Sequence, residues 1–275
     1  MRIAALALVW LLAACMGERP LPVTQTEGPA KRIVSLDFCA DQYVLKLADR
    51  ADILALSPEA VMAHSYMRTE AQGLPSVRPL AEDAIALKPD LIVRSYGGGP
   101  NAETFFERAG IPVLTVGWAG DLDAIKQVTL DMAEGLRQPA RGEAVVAEIE
   151  SRLAALSERE TLEQVLYMTP TGVTSGSATL IDELIMAAGA ENFEVRTGWH
   201  SLPLERLTGE QPDIVATSFF DAAALSQGLW SAARHPLARR QIETLPVAEL
   251  PGAWTACGAW FTLDAVEALA EAAAR

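Results

Sequence analysis

The sequence predicts an α/β protein of two lobes, each with its own mainly parallel sheet, joined by one long rigid helix. Three observations predict it. Short apolar strands alternate with helical patterns along the chain, as in parallel sheets with crossover helices. A phrase occurs twice, EDAIALKPDLIV from Glu82 to Val93 and ERLTGEQPDIVA from Glu205 to Ala216, its copies starting 123 residues apart. In each copy a glutamate stands seven residues before a proline, and Pro-Asp leads into an Ile/Leu/Val run. Between the copies, an amphipathic stripe runs unbroken from Arg141 to about Ser157.

The chain's 275 residues are 50% hydrophobic, enough to bury a sizeable core. A formal charge of −14 and the absence of any basic run exclude a nucleic-acid partner, which needs a cationic stripe to release counterions. The three histidines, His64, His200 and His235, show no HxxxH spacing and the cysteines no CxxC, so no metal site built from protein ligands is expected. No cofactor is expected either. Gly97-Gly98-Gly99-Pro100 follows a strand but lacks GxxxxGK[ST] and GxGxxG, and reads as a close turn. GxSxG is absent too, which leaves a secreted hydrolase as a secondary reading, beside a tethered sensor or assembly protein without a small ligand.

Residues 1–15 read MRIAALALVWLLAAC: Arg2, an apolar run too short to span a membrane as a mature helix, then small residues before Cys15. Leu-Ala-Ala-Cys resembles the bacterial lipoprotein signal, which implies lipidation at Cys15, export to the periplasm and attachment to a membrane through the lipid alone. Residues 16–30, rich in Pro, Thr, Gly and Glu without periodicity, read as a flexible tether.

The first lobe is expected over residues 31–120. Ile33 to Leu36 forms a strand, and Asp37 is placed to cap a helix running to about Ala48. Ile53 to Leu56 is a second strand, and Ala63 to Arg68 an exposed loop. The first phrase supplies a helix and the strand before Arg94. Asn101 to Ala109 is helical and Ile111 to Val116 is the next strand. Residues 121–158 are connecting helices; 18 residues of helix from Arg141 would span ~27 Å.

The second lobe is expected over residues 159–275. Gln164 to Met168 is its first strand, Thr169 to Ala178 a loop, and Thr179 to Ala188 a helix. The second phrase follows, with Ile214 to Thr217 as strand. A helix from Trp230 to Thr244 is interrupted near Pro236. Pro246 to Leu250 is the last strand and Thr262 to Ala274 the last helix, with an aromatic loop, Trp254 to Trp260, between them.

The order RIVSL, ALKPDLIV, GIPVLTV, long helix, TSGSATLIDELIMAAGAEN, LERLTGEQPDIVA resembles the periplasmic binding proteins for cobalamin and ferric siderophores, from Lys31 to the C-terminus. The resemblance implies a class III periplasmic binding protein. In that class a helical backbone joins two Rossmann-like lobes, and a metal chelate (cobalamin, ferric siderophore or haem-like) binds between them for delivery to an ABC permease dimer and its ATPase. It also implies a carboxylate on each lobe that docks onto permease arginines, here Glu82 and Glu205, whose helix-start positions favour the ionised form.

Ligand candidates at the carboxyl ends of strands are Tyr66, Arg68, Arg94, Tyr96 and Trp118 in the first lobe and Trp199 and Trp254 in the second. Aromatic faces suit a flat corrin or a catecholate rim, and arginines suit anionic oxygens. The chain departs from the family at Cys39 and Cys257, each after a strand and expected at the cleft. Three outcomes stay open for them: an interlobe disulfide, thiolate contact with the ligand's metal, or separate buried thiols.

Overall fold

In a computed structural model that describes residues 32–156, 163–220 and 231–274, the apolar run after Arg32 forms β1 (Ile33–Ser35), buried throughout. Asp37 caps α1 (Phe38–Leu47) as expected, its carboxylate accepting from the Ala40 N–H. Then come β2 (Ile53–Ala55), α2 (Ala81–Ala86), β3 (Leu91–Arg94), α3 (Ala102–Arg108) and β4 (Val113–Thr115). All pairs are parallel and the order is β2-β1-β3-β4. Because β1 is internal, its carboxyl end lies between those of β2 and β3, which gathers three loops at one spot.

Two helices follow, α4 (Leu122–Gly135) and α5 (Pro139–Leu156). The latter starts two residues ahead of the expected Arg141, because a proline's fixed φ suits the first helical position. Its apolar stripe is used as read, with Val145, Ile149 and Leu156 buried and Leu153 partly so.

The second lobe contains β5 (Gln164–Met168), β6 (Val173–Ser175), α6 (Leu180–Ala187), β7 (Glu191–Asn192), β8 (Trp199–Ser201), β9 (Ile214–Ser218), α7 (Pro236–Thr244), β10 (Val247–Leu250), α8 (Gly252–Thr255) and α9 (Thr262–Ala273). Its parallel sheet has the order β10-β9-β5-β7. The expected loop from Thr169 to Ala178 contains β6, which pairs antiparallel with β8 in a separate two-stranded ribbon. Three-residue strands among Thr, Gly and Ser carry no readable alternation, so only the distant pairing defines them. The second phrase also departs from expectation. Glu205 heads one 3-10 turn, Arg206–Thr208, where the first copy forms α2. Thr208 and Gly209 propagate a helix poorly, whereas AEDAIA is rich in the best former.

Strand residues alternate between two environments. Ile33, Leu91 and Val93 join the core that also holds Val165, Tyr167, Ile214 and the inner faces of α4, α5 and α9. Val34 and Ile92 face a separate cluster under α2 and α3, and Leu166 and Val215 a third around Phe193. One face of each sheet therefore shares a single core with the other lobe, which fixes the lobes at their base. Among the described residues no helix is long and apolar enough to cross a membrane.

Candidate functional site

The first turn of α1 organises the first lobe's loops. The buried Asp37 carboxylate accepts from the Ser95 N–H (2.7 Å) and hydroxyl (2.7 Å), and from the N–H groups of Tyr96 (3.1 Å), Gly97 (3.0 Å) and Ala40 (3.1 Å). The glycine-rich turn thus holds an anion, but one supplied by its own chain. Gly97 is required there because a Cβ would collide with the Leu36 carbonyl oxygen. One turn on, Asp41 accepts from the Ser57 hydroxyl (2.6 Å) and N–H (3.1 Å), holding the β2 loop. Burial pushes the Asp41 carboxyl up to about 7, with the Asp37 charge adding to the effect. Gln42 holds a third loop, donating to the Ser65 hydroxyl (3.0 Å) and accepting from the Met67 N–H (2.8 Å). That loop was expected to be exposed, yet Ser65 is fully buried because Gln42 draws it onto α1.

These ties bring four side chains together. Phe38 meets His64 edge-on with ring centroids 5.3 Å apart, and lies 6.4 Å from the Tyr96 ring. The Tyr96 hydroxyl donates to Glu59 at 3.0 Å, and His64 Nε2 stands 3.8 Å from the other oxygen of that carboxylate. Burial and the Glu59 carboxylate raise the Tyr96 phenol above its usual range. The group forms a partly exposed aromatic wall bearing one carboxylate, with Tyr96 57% exposed. Of the predicted residues only Tyr96 belongs to it. Phe38, Glu59 and His64 were missed, since nothing local marks them and the sheet order alone makes them neighbours.

Tyr66 lies instead along the seam with the second lobe. Its ring stacks on Phe261 at 4.6 Å and its hydroxyl donates to Asp264 at 2.8 Å. Burial first, then Asp264, pushes its phenol up to about 12. Arg152 of α5 completes the cluster, donating to Asp264 (2.6 Å) and to both oxygens of Glu267 (2.7 and 2.8 Å). Beside it the Tyr43 hydroxyl donates to the Gly258 carbonyl at 3.3 Å. Of the three alternatives for Cys39 and Cys257 the structure holds the disulfide, its Cα atoms 5.8 Å apart across this seam. Gly258 has no room for a Cβ, which would lie 2.7 Å from the Ala119 carbonyl oxygen.

In the second lobe the Trp199 ring, 55% exposed, meets the edge of the buried Tyr167 at 5.9 Å, over the carboxyl end of β5. Nearby, an ion pair with Arg196 holds the buried Glu194 below the usual carboxylate range. Trp118, just before α4, is 91% exposed. Trp254, within α8, packs partly buried against the shared core. Arg94 turns back to the Gly97 carbonyl (2.5 Å) and Glu103 (3.0 Å), and Arg68 donates to the Ser65 carbonyl (3.3 Å). Glu82, in the first turn of α2, and Glu205 are both exposed. Neither carboxylate makes a hydrogen bond or ion pair within 4.0 Å among the described residues, though the Glu205 charge adds to the bond from Glu194 that chiefly raises the Arg196 pKa.

The family model described as periplasmic binding protein matches residues 33–227. No curated protein matches the chain. Among solved structures the chain is similar to the periplasmic heme-binding protein RhuT from Roseiflexus sp. RS-1 in apo form, at 22% identity and TM-score 0.69 over 89% of this chain and 99% of that one. It is similar to the periplasmic heme-binding protein HutB of Vibrio cholerae, at 19% and 0.67 over 86% and 96%. The periplasmic vitamin B12 binding protein BtuF of Vibrio cholerae gives 22% and 0.63 over 90% and 97%. At these identities the likeness is one of fold.

Proposed function

The chain belongs to the periplasmic binding protein family, and from that premise we propose that it is the substrate-binding component of an ABC importer, capturing a metal chelate between its lobes. Its family and fold are those of binding proteins rather than enzymes, and the family is periplasmic. The observation that carries the substrate class is the placing of exposed aromatic side chains at strand ends. The Phe38–His64–Tyr96 wall stands on one lobe and Trp199 on the other. Flat rings of this kind bury a large rigid chelate with little loss of side-chain freedom. The solved structures named above are described as binding heme and vitamin B12, chelates of that size and shape.

Arg68, Trp118 and Trp254 complete the proposed ligand contacts. Glu82 and Glu205 are the proposed anchors for arginines of the permease dimer. Cys15, which lies outside the described residues along with the tether, is the proposed lipid anchor, and the domain limits remain those read from the sequence. To test the reading, haemin, cyanocobalamin and a ferric hydroxamate are titrated separately while tryptophan fluorescence is followed. Native mass spectrometry of protein taken from the periplasm identifies any cargo. One chelate is expected to bind in a one-to-one complex and to bind at least tenfold more weakly to Tyr96→Ala. Failure of all three to quench, with no coloured cargo retained, overturns the reading.

A further inference from the structure

The hydrogen-bond donors at the strand ends of the first lobe point inward. The Asp37 carboxylate takes five of them, the N–H groups of Ala40, Ser95, Tyr96 and Gly97 and the Ser95 hydroxyl. They belong to the first turn of α1 and the glycine-rich turn after β3, where backbone N–H groups would otherwise draw an anion from solution. In the β2 loop the Ser57 N–H and hydroxyl go to Asp41, and the Glu59 N–H goes to the Ser57 hydroxyl oxygen. The arginines of the wall's own loops are engaged too, Arg94 with Gly97 and Glu103 and Arg68 with the Ser65 carbonyl.

The groups left on the wall are acceptors. The Tyr96 hydroxyl directs its proton at Glu59 (3.0 Å), so the phenol oxygen shows its lone pairs. The Glu59 side chain is 44% exposed, and its carboxylate can only accept. Its other oxygen stands 3.8 Å from His64 Nε2, an ion pair only while the imidazole is protonated. Asp37, buried beneath the wall, adds a negative charge that no cation pairs with among the described residues.

We propose that Glu59 is a specificity-determining residue of the cleft. It favours chelates whose rim carries hydrogen-bond donors and no negative charge, and disfavours chelates rimmed by carboxylates. Amide, hydroxyl or ammonium groups of a ligand satisfy Glu59 and the Tyr96 oxygen, whereas a carboxylate brings a like charge against them. The aromatic rings accept the flat body of either kind, so the rim decides. The proposal rests on the reading that this wall meets the ligand.

Matched pairs of compounds separate charge from shape. Cyanocobalamin is compared with each of its monocarboxylates, in which one rim amide is hydrolysed. Ferrioxamine B, with its free ammonium, is compared with its N-succinyl derivative, which carries a carboxylate instead. These compounds and haemin, which carries propionate carboxylates, are titrated into the natural protein, Glu59→Gln and His64→Gln. Glu59→Gln keeps an acceptor for Tyr96 and removes the charge. In the natural protein the carboxylate member of the pair that binds, for at least one isomer, is expected to have a Kd about fivefold higher. Glu59→Gln should close that gap by tightening the carboxylate member, and His64→Gln should keep it. Equal affinities in every pair, a preference for the carboxylate, or a gap that Glu59→Gln leaves unchanged overturns the proposal. A gap that vanishes with His64→Gln assigns the selection to the imidazole and overturns it too. If haemin alone binds, the proposal fails while the chelate reading stands. If none of the compounds binds, both fail.

Discussion

Asp41 is a carboxyl whose folded environment resists charge, and this has a sign that stability measurements can read. Its folded pKa is raised from 3.8 to about 7 by burial. The stability linked to it is complete below about pH 4 and is lost as pH rises towards 7, because over that interval the unfolded chain releases the proton and the folded one keeps it. The expected loss is about 1.4 kcal/mol per pH unit across the window. Urea unfolding at several pH values checks this: Asp41→Asn should remove that slope between about pH 4 and 7. The same residues show what was legible. Asp37 was readable as a cap because capping is local, and its further donors came from residues 58 to 60 positions away. The Gly-rich turn was readable as tight, but its anion was not, because the strand order that brings Asp37 there is a property of the sheet. His64 and Glu59 were unreadable for the same reason.

At the scale of elements, the connector carries the argument. The stripe on α5 was readable because a long helix repeats its signal over many turns, whereas the β6–β8 ribbon and the single turn after Glu205 are too short to repeat anything. The hydrophobic stripe does not reveal Arg152, which lies on α5 and ties it to α9 through Asp264 and Glu267. Those ion pairs raise the arginine's pKa, the Glu267 bond contributing most. Asp264 in turn receives the Tyr66 hydroxyl, so connector, second lobe and first lobe meet in one network. Removing Arg152 leaves two partly buried carboxylates without their cation. Arg152→Ala is expected to cost about 1–3 kcal/mol, and Tyr66→Phe about 1 kcal/mol. Because they share Asp264, the double variant should lose less than the sum, which chemical denaturation in a double-mutant cycle measures. Strict additivity would mean the seam is two separate contacts.

At the scale of the molecule, the proposed docking role sets one exposed carboxylate, Glu82 or Glu205, on each of two lobes held by a shared core. Reversing both, Glu82→Arg with Glu205→Arg, is expected to abolish import in a reconstituted transporter while chelate affinity stays within about twofold. Unchanged import would remove both residues from the docking role.

The same rigidity has a covalent part. Cys39 and Cys257 are 218 residues apart in sequence, so their bond closes a loop through most of the folded chain. Chain-entropy arguments put the stabilisation from so long a loop at about 5 kcal/mol, since it acts mainly by restricting the unfolded chain, and native disulfides in practice deliver somewhat less. The seam around it does not depend on the bond. Tyr66 stacks on Phe261, Tyr43 reaches Gly258, and the core runs continuously beneath both sheets. A Cys39→Ser, Cys257→Ser protein is therefore expected to fold, to lose roughly 3–5 kcal/mol in urea unfolding, and to match the reduced natural protein. Distance distributions between spin labels on the two lobes should broaden only slightly in the double variant. A marked broadening, with weaker chelate binding, would assign the geometry of the cleft to the disulfide rather than to the packed seam.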